Sequence, residues 1–139
     1  MLRFLLITIL LLPVGAVALN AAPDFSREVL PIFSDKCFKC HGPDGKARKA
    51  KLRLDRQEFA LRKKDAIIVP GKSAESELIA RIFSSDPDEQ MPPPDSKLNL
   101  TTAQKATLKA WVDAGAKWGK HWAYEPPRLP ALPQVKNAK

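Results

Sequence analysis

Cys37-Phe38-Lys39-Cys40-His41 gathers both cysteines of the chain, and one of its two histidines, into a single CxxCH motif. That spacing is the attachment signature of c-type haem. Cysteines three apart on a helical turn lie on one face, where each thiol can add across one vinyl group of a porphyrin. The histidine that follows can bring an imidazole nitrogen onto the iron as proximal ligand. Other chemistries for the same residues lack parts. A structural zinc site takes four nitrogen or sulfur ligands, and the only further histidine, His121, stands eighty residues on. A thioredoxin-like redox pair belongs beside a βαβ pattern, which this sequence does not show. The expectation is one covalent haem c on Cys37 and Cys40, with His41 as an axial ligand.

Iron held this way has one axial position left. Met1 sits in the apolar leader, so Met91 is the single methionine of the remaining chain. It occurs fifty residues after His41, in Gln90-Met91-Pro92-Pro93-Pro94. Three prolines favour an extended backbone without amide hydrogens, which holds Met91 in place at low entropic cost. Methionine also fills gaps in cores, but Gln90 and the acidic run Asp86-Pro87-Asp88-Glu89 do not read as core. His121, between Lys120 and Trp122, is the competing ligand. His/Met ligation raises the reduction potential and occupies both axial sites. A saturated iron leaves no room for a substrate, which points to electron transfer and away from an enzyme. Two alternatives stay open. A peroxidase-like domain needs a displaceable sixth ligand and a distal acid–base group, for which His121 is the sole histidine. A haem-containing sensor or interaction module at the front of a larger exported enzyme needs no turnover at all.

The elements that must position these residues read as helices. Asp24 or Ser26 caps a first helix, with Phe25, Val29, Ile32 and Phe33 at helical spacing and Pro31 set to kink it or shift its start. That helix runs straight into the haem motif. Gly42-Pro43-Asp44-Gly45 is a turn by composition. Leu52-Arg53-Leu54-Asp55 alternates like a short extended segment with nothing obvious to pair with, and residues 56–64 suit a short helix. Ser73 is placed to cap a helix running to about Phe83, with Leu78, Ile79, Ile82 and Phe83 as its apolar face. Thr101 and Gln104 form a capping box for a last helix that buries Leu108, Trp111 and Val112 and stops at Gly115. The sum is an all-α domain with long irregular connections.

The ends of the chain differ in kind from this middle. Arg3, an apolar run over residues 4–12, Pro13, Gly15 and Ala16-Val17-Ala18 make a secretory signal segment over residues 1–22, cleaved after about Ala18 to Ala22. An uncleaved anchor is the alternative, although the apolar stretch spans about 18 residues only if Pro13 and Gly15 are included. Export to the periplasm agrees with haem, because c-type haem is attached outside the cytoplasm. Residues 23–118 then form one small domain, whose modest core a buried haem would enlarge. Residues 119–139, with Pro126, Pro127, Pro130 and Pro133, read as an extended linker or tail.

The formal charge is +8, and most of it lies in residues 46–64, where nine Lys/Arg face Asp55 and Glu58. A solvated face is one reading. The sharper one is a docking surface for an acidic redox partner, or neutralisation of haem propionates. Nucleic acid is excluded on pattern, because this stretch carries a single aromatic, Phe59, and not stacking residues at intervals. No integral membrane segment is expected once the signal is cleaved.

With these residues in view, the chain resembles the planctomycete-type cytochrome c domain. The resemblance rests on Val29-Leu30-Pro31-Ile32-Phe33 running into Cys37-Phe38-Lys39-Cys40-His41-Gly42-Pro43, then Leu52-Arg53-Leu54-Asp55, Ile68-Val69-Pro70-Gly71 and Met91-Pro92-Pro93. Leu108-Lys109-Ala110-Trp111-Val112-Asp113-Ala114-Gly115-Ala116 completes it. It implies a small class I cytochrome c-like fold of three to five helices around one covalent haem, with Cys37 and Cys40 as attachment points and His41 and Met91 as axial ligands. Beside it, Arg53 is a candidate propionate contact, and Trp111 or Trp118 could pack on the macrocycle or simply in the core. Such domains often carry glycine before the LRLD segment, where this chain has Ala47-Arg48-Lys49-Ala50-Lys51. Any backbone contact made there is therefore an open question. Members often continue past a Trp-x-Tyr-x-Pro-Pro segment, here Trp122 to Pro127, into larger domains.

Overall fold

Asp24 starts the helical structure by accepting a hydrogen bond from the Arg27 amide at 2.9 Å. The structure, a computed structural model, describes residues 21–62, 64 and 66–119. The expected signal segment up to residue 20, His121 and the proline-rich tail lie outside these. The first turn, Phe25–Val29, is π-helical, and the Leu30 amide reaches back to the Phe25 carbonyl. The reason is Pro31, which has no amide hydrogen to continue an α-helical ladder. The chain widens by one residue, then resumes as α1 (Leu30–Lys36) with proline in its first turn, where a missing donor costs nothing. The expected kink is thus a change of helix type.

Four further α-helices follow among the described residues: α2 (Phe38–His41), α3 (Gln57–Ala60), α4 (Glu77–Phe83) and α5 (Thr102–Asp113), joined by irregular chain without strands. The all-α expectation holds. The segment 52–55 pairs with no strand, and α3 is only four residues long where residues 56–64 suited a longer helix.

α5 forms as its sequence dictates. The Thr101 hydroxyl accepts from the Gln104 amide at 3.1 Å and the Gln104 side chain accepts from the Thr101 amide at 2.9 Å. Gly115, with φ of 97°, lets the chain leave the helix in the left-handed conformation that glycine tolerates. Leu108, Trp111 and Val112 are buried on one face. Against them pack Phe25 and Phe33, whose ring centroids lie 5.7 and 5.8 Å from that of Trp111, while Trp118 closes the cluster 4.7 Å from Phe25. The Trp111 indole donates to the Lys117 carbonyl at 3.0 Å, so its polar atom is satisfied in the core.

A strap over residues 67–71 joins α3, α4 and α5. The Ile68 amide bonds the Ala60 carbonyl, the Leu78 amide bonds the Ile67 carbonyl, and the Gly71 amide bonds the Val112 carbonyl. Ser73 does not cap a long helix. Ser73–Glu75 is a separate 3-10 turn, and α4 starts after Ser76. Ser76 is buried because its hydroxyl accepts from the Val69 amide at 2.9 Å and donates to the Lys72 carbonyl at 2.9 Å, knitting the strap to the helix. On α4, Leu78, Ile79 and Ile82 enter the core as expected. Phe83 does not: it is half exposed, with the Lys105 ammonium 5.6 Å from its ring centroid.

Candidate functional site

Cys37, Cys40 and His41 lie where α1 breaks into α2. The Cys37 backbone, at φ −121° and ψ −37°, interrupts the helix, and the His41 amide then bonds the Cys37 carbonyl at 2.8 Å. A four-residue helix makes few bonds of its own, so its terminal carbonyls need other donors. The following loop supplies them. The Lys49 amide bonds the Cys40 carbonyl and the Leu54 amide bonds the His41 carbonyl, both at 2.8 Å. The Arg48 guanidinium donates to the Gly42 carbonyl at 3.2 Å and to the Pro43 carbonyl at 2.8 Å. Four consecutive carbonyls, from Cys40 to Pro43, are thereby capped from residues 48–54. This answers the open question about the loop before the LRLD segment. Its backbone contact to the cysteine motif is made, with Ala50 and Lys51 in left-handed conformation at φ 50° and 54°. These are positions where glycine would be relaxed.

Gly42 is fixed by space. A Cβ there would sit inside contact distance of the Phe38 carbonyl oxygen and 2.9 Å from the Phe38 Cβ. The turn can therefore follow the motif this closely only with glycine.

A cavity of about 390 Å³ opens beside this corner. Cys37, Cys40 and His41 line one part of it, and Met91 with Pro92 and Pro93 another. Leu52, Leu54, Ile67, Leu78, Ile82 and Leu98 supply apolar wall, and Lys36, Arg62, Glu77 and Arg81 supply charge. The residues singled out in sequence at 37, 40, 41 and 91 thus converge on one space. Met91 is held by its amide bonding the Arg81 carbonyl at 3.1 Å. The Met91–Pro92 peptide is cis, and Pro94 opens a 3-10 turn instead of extending the polyproline run.

Arg53 does not line the cavity. Its Nε donates to Asp55 at 3.0 Å, a second bond joins Nη2 to the other carboxylate oxygen, and its guanidinium lies 5.6 Å from the Phe59 ring centroid. That pairing holds the Asp55 carboxyl below its ordinary range. Trp111 and Trp118 do not line the cavity either; both belong to the aromatic core. Arg48, Arg62 and Arg81 were absent from the sequence-derived site. Arg48 and Arg62 were legible only as members of a basic stretch, and Arg81 carried no signal.

The donor set suits a thioether-linked, axially ligated porphyrin. Both cysteines are free thiols at the cavity. Burial, reinforced by the neighbouring Cys40, pushes the Cys37 thiol up to about 12, so it stays protonated. Burial likewise lowers the His41 imidazole, which favours the neutral, ligating form; the Lys49 backbone opposes this in part. His41 Nδ1 is buried without a hydrogen-bond partner. An orphaned buried nitrogen is costly, so this imidazole has room for a partner beyond the residues around it. Among the described residues no three or more His, Cys, Asp or Glu side chains are grouped to hold a bare metal ion. No helix among them is long and apolar enough to cross a membrane.

The family model described as planctomycete cytochrome C matches residues 37–95, from the first cysteine of the motif to the turn after Met91. The α5 segment lies beyond the matched residues. No curated protein and no solved structure matches the chain significantly.

Proposed function

With a planctomycete-type cytochrome c domain over residues 37–95 as premise, we propose that this chain is an exported electron carrier. It binds one haem c through thioethers to Cys37 and Cys40, with His41 and Met91 as axial ligands. Cytochrome c domains act in haem-based electron transfer; the covalent link, the ligand pair and export are the finer part of the reading. The observation that carries it is the convergence of all four side chains on one largely apolar cavity.

Each residue has a task in this scheme. Cys37 and Cys40 present thiols from one corner, fixed by the carbonyl caps from Lys49, Leu54 and Arg48. His41 offers a neutral imidazole. Met91 offers a soft thioether from chain tied to α4. Leu52, Leu54, Leu78 and Ile82 keep water from the space between them. The haem would supply an iron that changes by one electron between ferrous and ferric states. With His41 and Met91 both held for the iron, no open position would be left for a substrate, which favours a carrier over a peroxidase. Exposed lysines at 46, 49, 51 and 64 offer an acidic redox partner a docking face.

The test is expression of the full chain with cytochrome c maturation. Acid–acetone extraction should leave the colour on the polypeptide, and Cys37→Ala with Cys40→Ala should release it. The ferric protein should show the weak charge-transfer band of iron–thioether bonding at the red end of the visible spectrum. Met91→Ala should remove that band and open the iron to carbon monoxide in the ferrous state. Haem lost to the organic phase from the unmutated protein would refute covalent attachment. Ready carbon monoxide binding that Met91→Ala does not change would refute the axial assignment.

A further inference from the structure

Met91 arrives at the cavity from an exposed loop, residues 84–90, that has little apolar packing to hold it. The loop is organised on itself around Asp86, whose carbonyl accepts from the Glu89 amide at 3.1 Å and the Gln90 amide at 2.8 Å. The Asp86 side chain accepts from the Asp88 amide at 3.0 Å, and Ser84 Oγ accepts from the Asp86 amide at 3.1 Å. These bonds give the loop a shape. They do not fix where it sits.

Arg81 does that. Its carbonyl accepts the Met91 amide. Its Nε donates to Glu77 Oε1 at 2.6 Å, one turn earlier on α4, and its Nη1 donates to the Glu89 carbonyl at 3.3 Å. One residue therefore grips the loop on both sides of Gln90. The Glu77 carboxylate keeps the guanidinium aimed, in the favourable order of acid four residues before base. Both side chains also line the cavity.

We infer that Arg81 is a positioning residue for the sixth-site ligand. Its guanidinium, oriented by Glu77, pins the 84–90 loop to α4 so that the Met91 thioether is presented to the cavity. The inference rests on Met91 being the axial ligand. Its consequence is that ligand exchange at the iron requires release of the Arg81 staple. The strength of the Glu77–Arg81–Glu89 link then sets how readily an outside ligand displaces Met91.

The experiment uses the full, haem-loaded chain and imidazole as the competing ligand. Hydrogen bonds to charged groups are stronger than neutral ones, but exposed pairs such as these contribute only modestly. Arg81→Ala should therefore raise imidazole affinity about three- to tenfold and weaken the ferric thioether band. Glu77→Gln, which leaves the Glu89 contact in place, should give a smaller change in the same direction. Arg81→Lys can reach Glu77 or the Glu89 carbonyl but not both, so it should fall between Arg81→Ala and the unmutated protein. It also decides the matter if Arg81→Ala fails to fold. A merely structural role predicts lowered melting temperatures with band and imidazole affinity unchanged in the folded variants, and that result would overturn the inference. Met91→Ala separates the two levels. If it abolishes the band while the Arg81 variants leave it intact, Arg81 alone is misassigned. If the unmutated protein lacks the band, the ligand assignment falls and this inference with it.

Discussion

Ala50 and Lys51 hold the left-handed backbone that lets the chain double back from the cysteine motif and return Lys49 and Leu54 as donors to it. Left-handed backbone costs a residue with a Cβ about 1–2 kcal/mol, and glycine gives back part of that through its greater freedom when unfolded. Ala50→Gly and Lys51→Gly should each stabilise the domain by up to about 1 kcal/mol. In a domain this small that raises the melting temperature by about 4–8 °C. Gly42→Ala should act oppositely, because its Cβ meets the Phe38 backbone. Thermal melts of the three variants decide the matter, and no rise for Ala50→Gly would mean that the turn relaxes another way. At this scale the sequence was legible where chemistry alone names a residue. Cys37, Cys40 and His41 follow from a spacing, and Met91 from being the single methionine besides Met1. The Arg53 pairing with Asp55, two residues away, was not legible, because a basic side chain near a motif does not reveal whether a carboxylate already holds it. Arg48 was hidden for the converse reason. It caps carbonyls, and nothing in a sequence says which carbonyls lack donors.

Helices were legible in proportion to how local their determinants are. α5 has its stop and its start in its own sequence, and the structure keeps both. α4 does not, because its N-terminal end is set by Ser76 binding the strap seven residues earlier. Ser73, the expected cap, instead gives its amide to Asp113 Oδ1 at 3.1 Å, forty residues on. Asp113 in turn accepts from Lys109 Nζ at 2.7 Å. The lysine and then Ser73 hold the Asp113 carboxyl down at about 2. An aspartate unfolds to an ordinary value near 3.9, so the unfolded chain takes up its proton first as pH falls. The stabilisation from this pair is complete above about pH 4 and is lost as pH falls towards about 2. The group is well exposed, which keeps the effect small. Asp113→Asn should remove that part of the acid dependence while leaving melting above pH 5 parallel to that of the unmutated protein. Unfolding curves between pH 2 and 5 report it, and identical slopes for the two proteins would place the depressed titration elsewhere.

Taken whole, the molecule sorts its basic stretch into two populations that its composition alone could not separate. Arg48 and Arg53 are committed internally, to carbonyls and to Asp55. Lys46, Lys49 and Lys51, in the segment that wraps the cysteine motif, and Lys64 further on are exposed. Exposed charges within about 10 Å of an approaching partner act on its approach at 0.1 M salt and are screened beyond that distance. Electrostatic steering then changes the association rate more than the affinity. Electron transfer from the reduced, haem-loaded protein to an anionic acceptor such as ferricyanide should slow as salt is raised. A cationic acceptor such as a ruthenium hexaammine should show the reverse trend, because the same field repels it. Replacing Lys49, Lys51 and Lys64 by Gln should flatten the ferricyanide dependence without altering the visible spectrum, since none of the three lines the cavity. Stopped-flow rates from 10 to 500 mM salt would measure this. If the triple variant keeps the full salt dependence, the encounter uses another face and these lysines only solvate the surface. The spectrum guards against a confounding cause, because a variant that disturbed the Lys49 backbone bond to Cys40 would shift it.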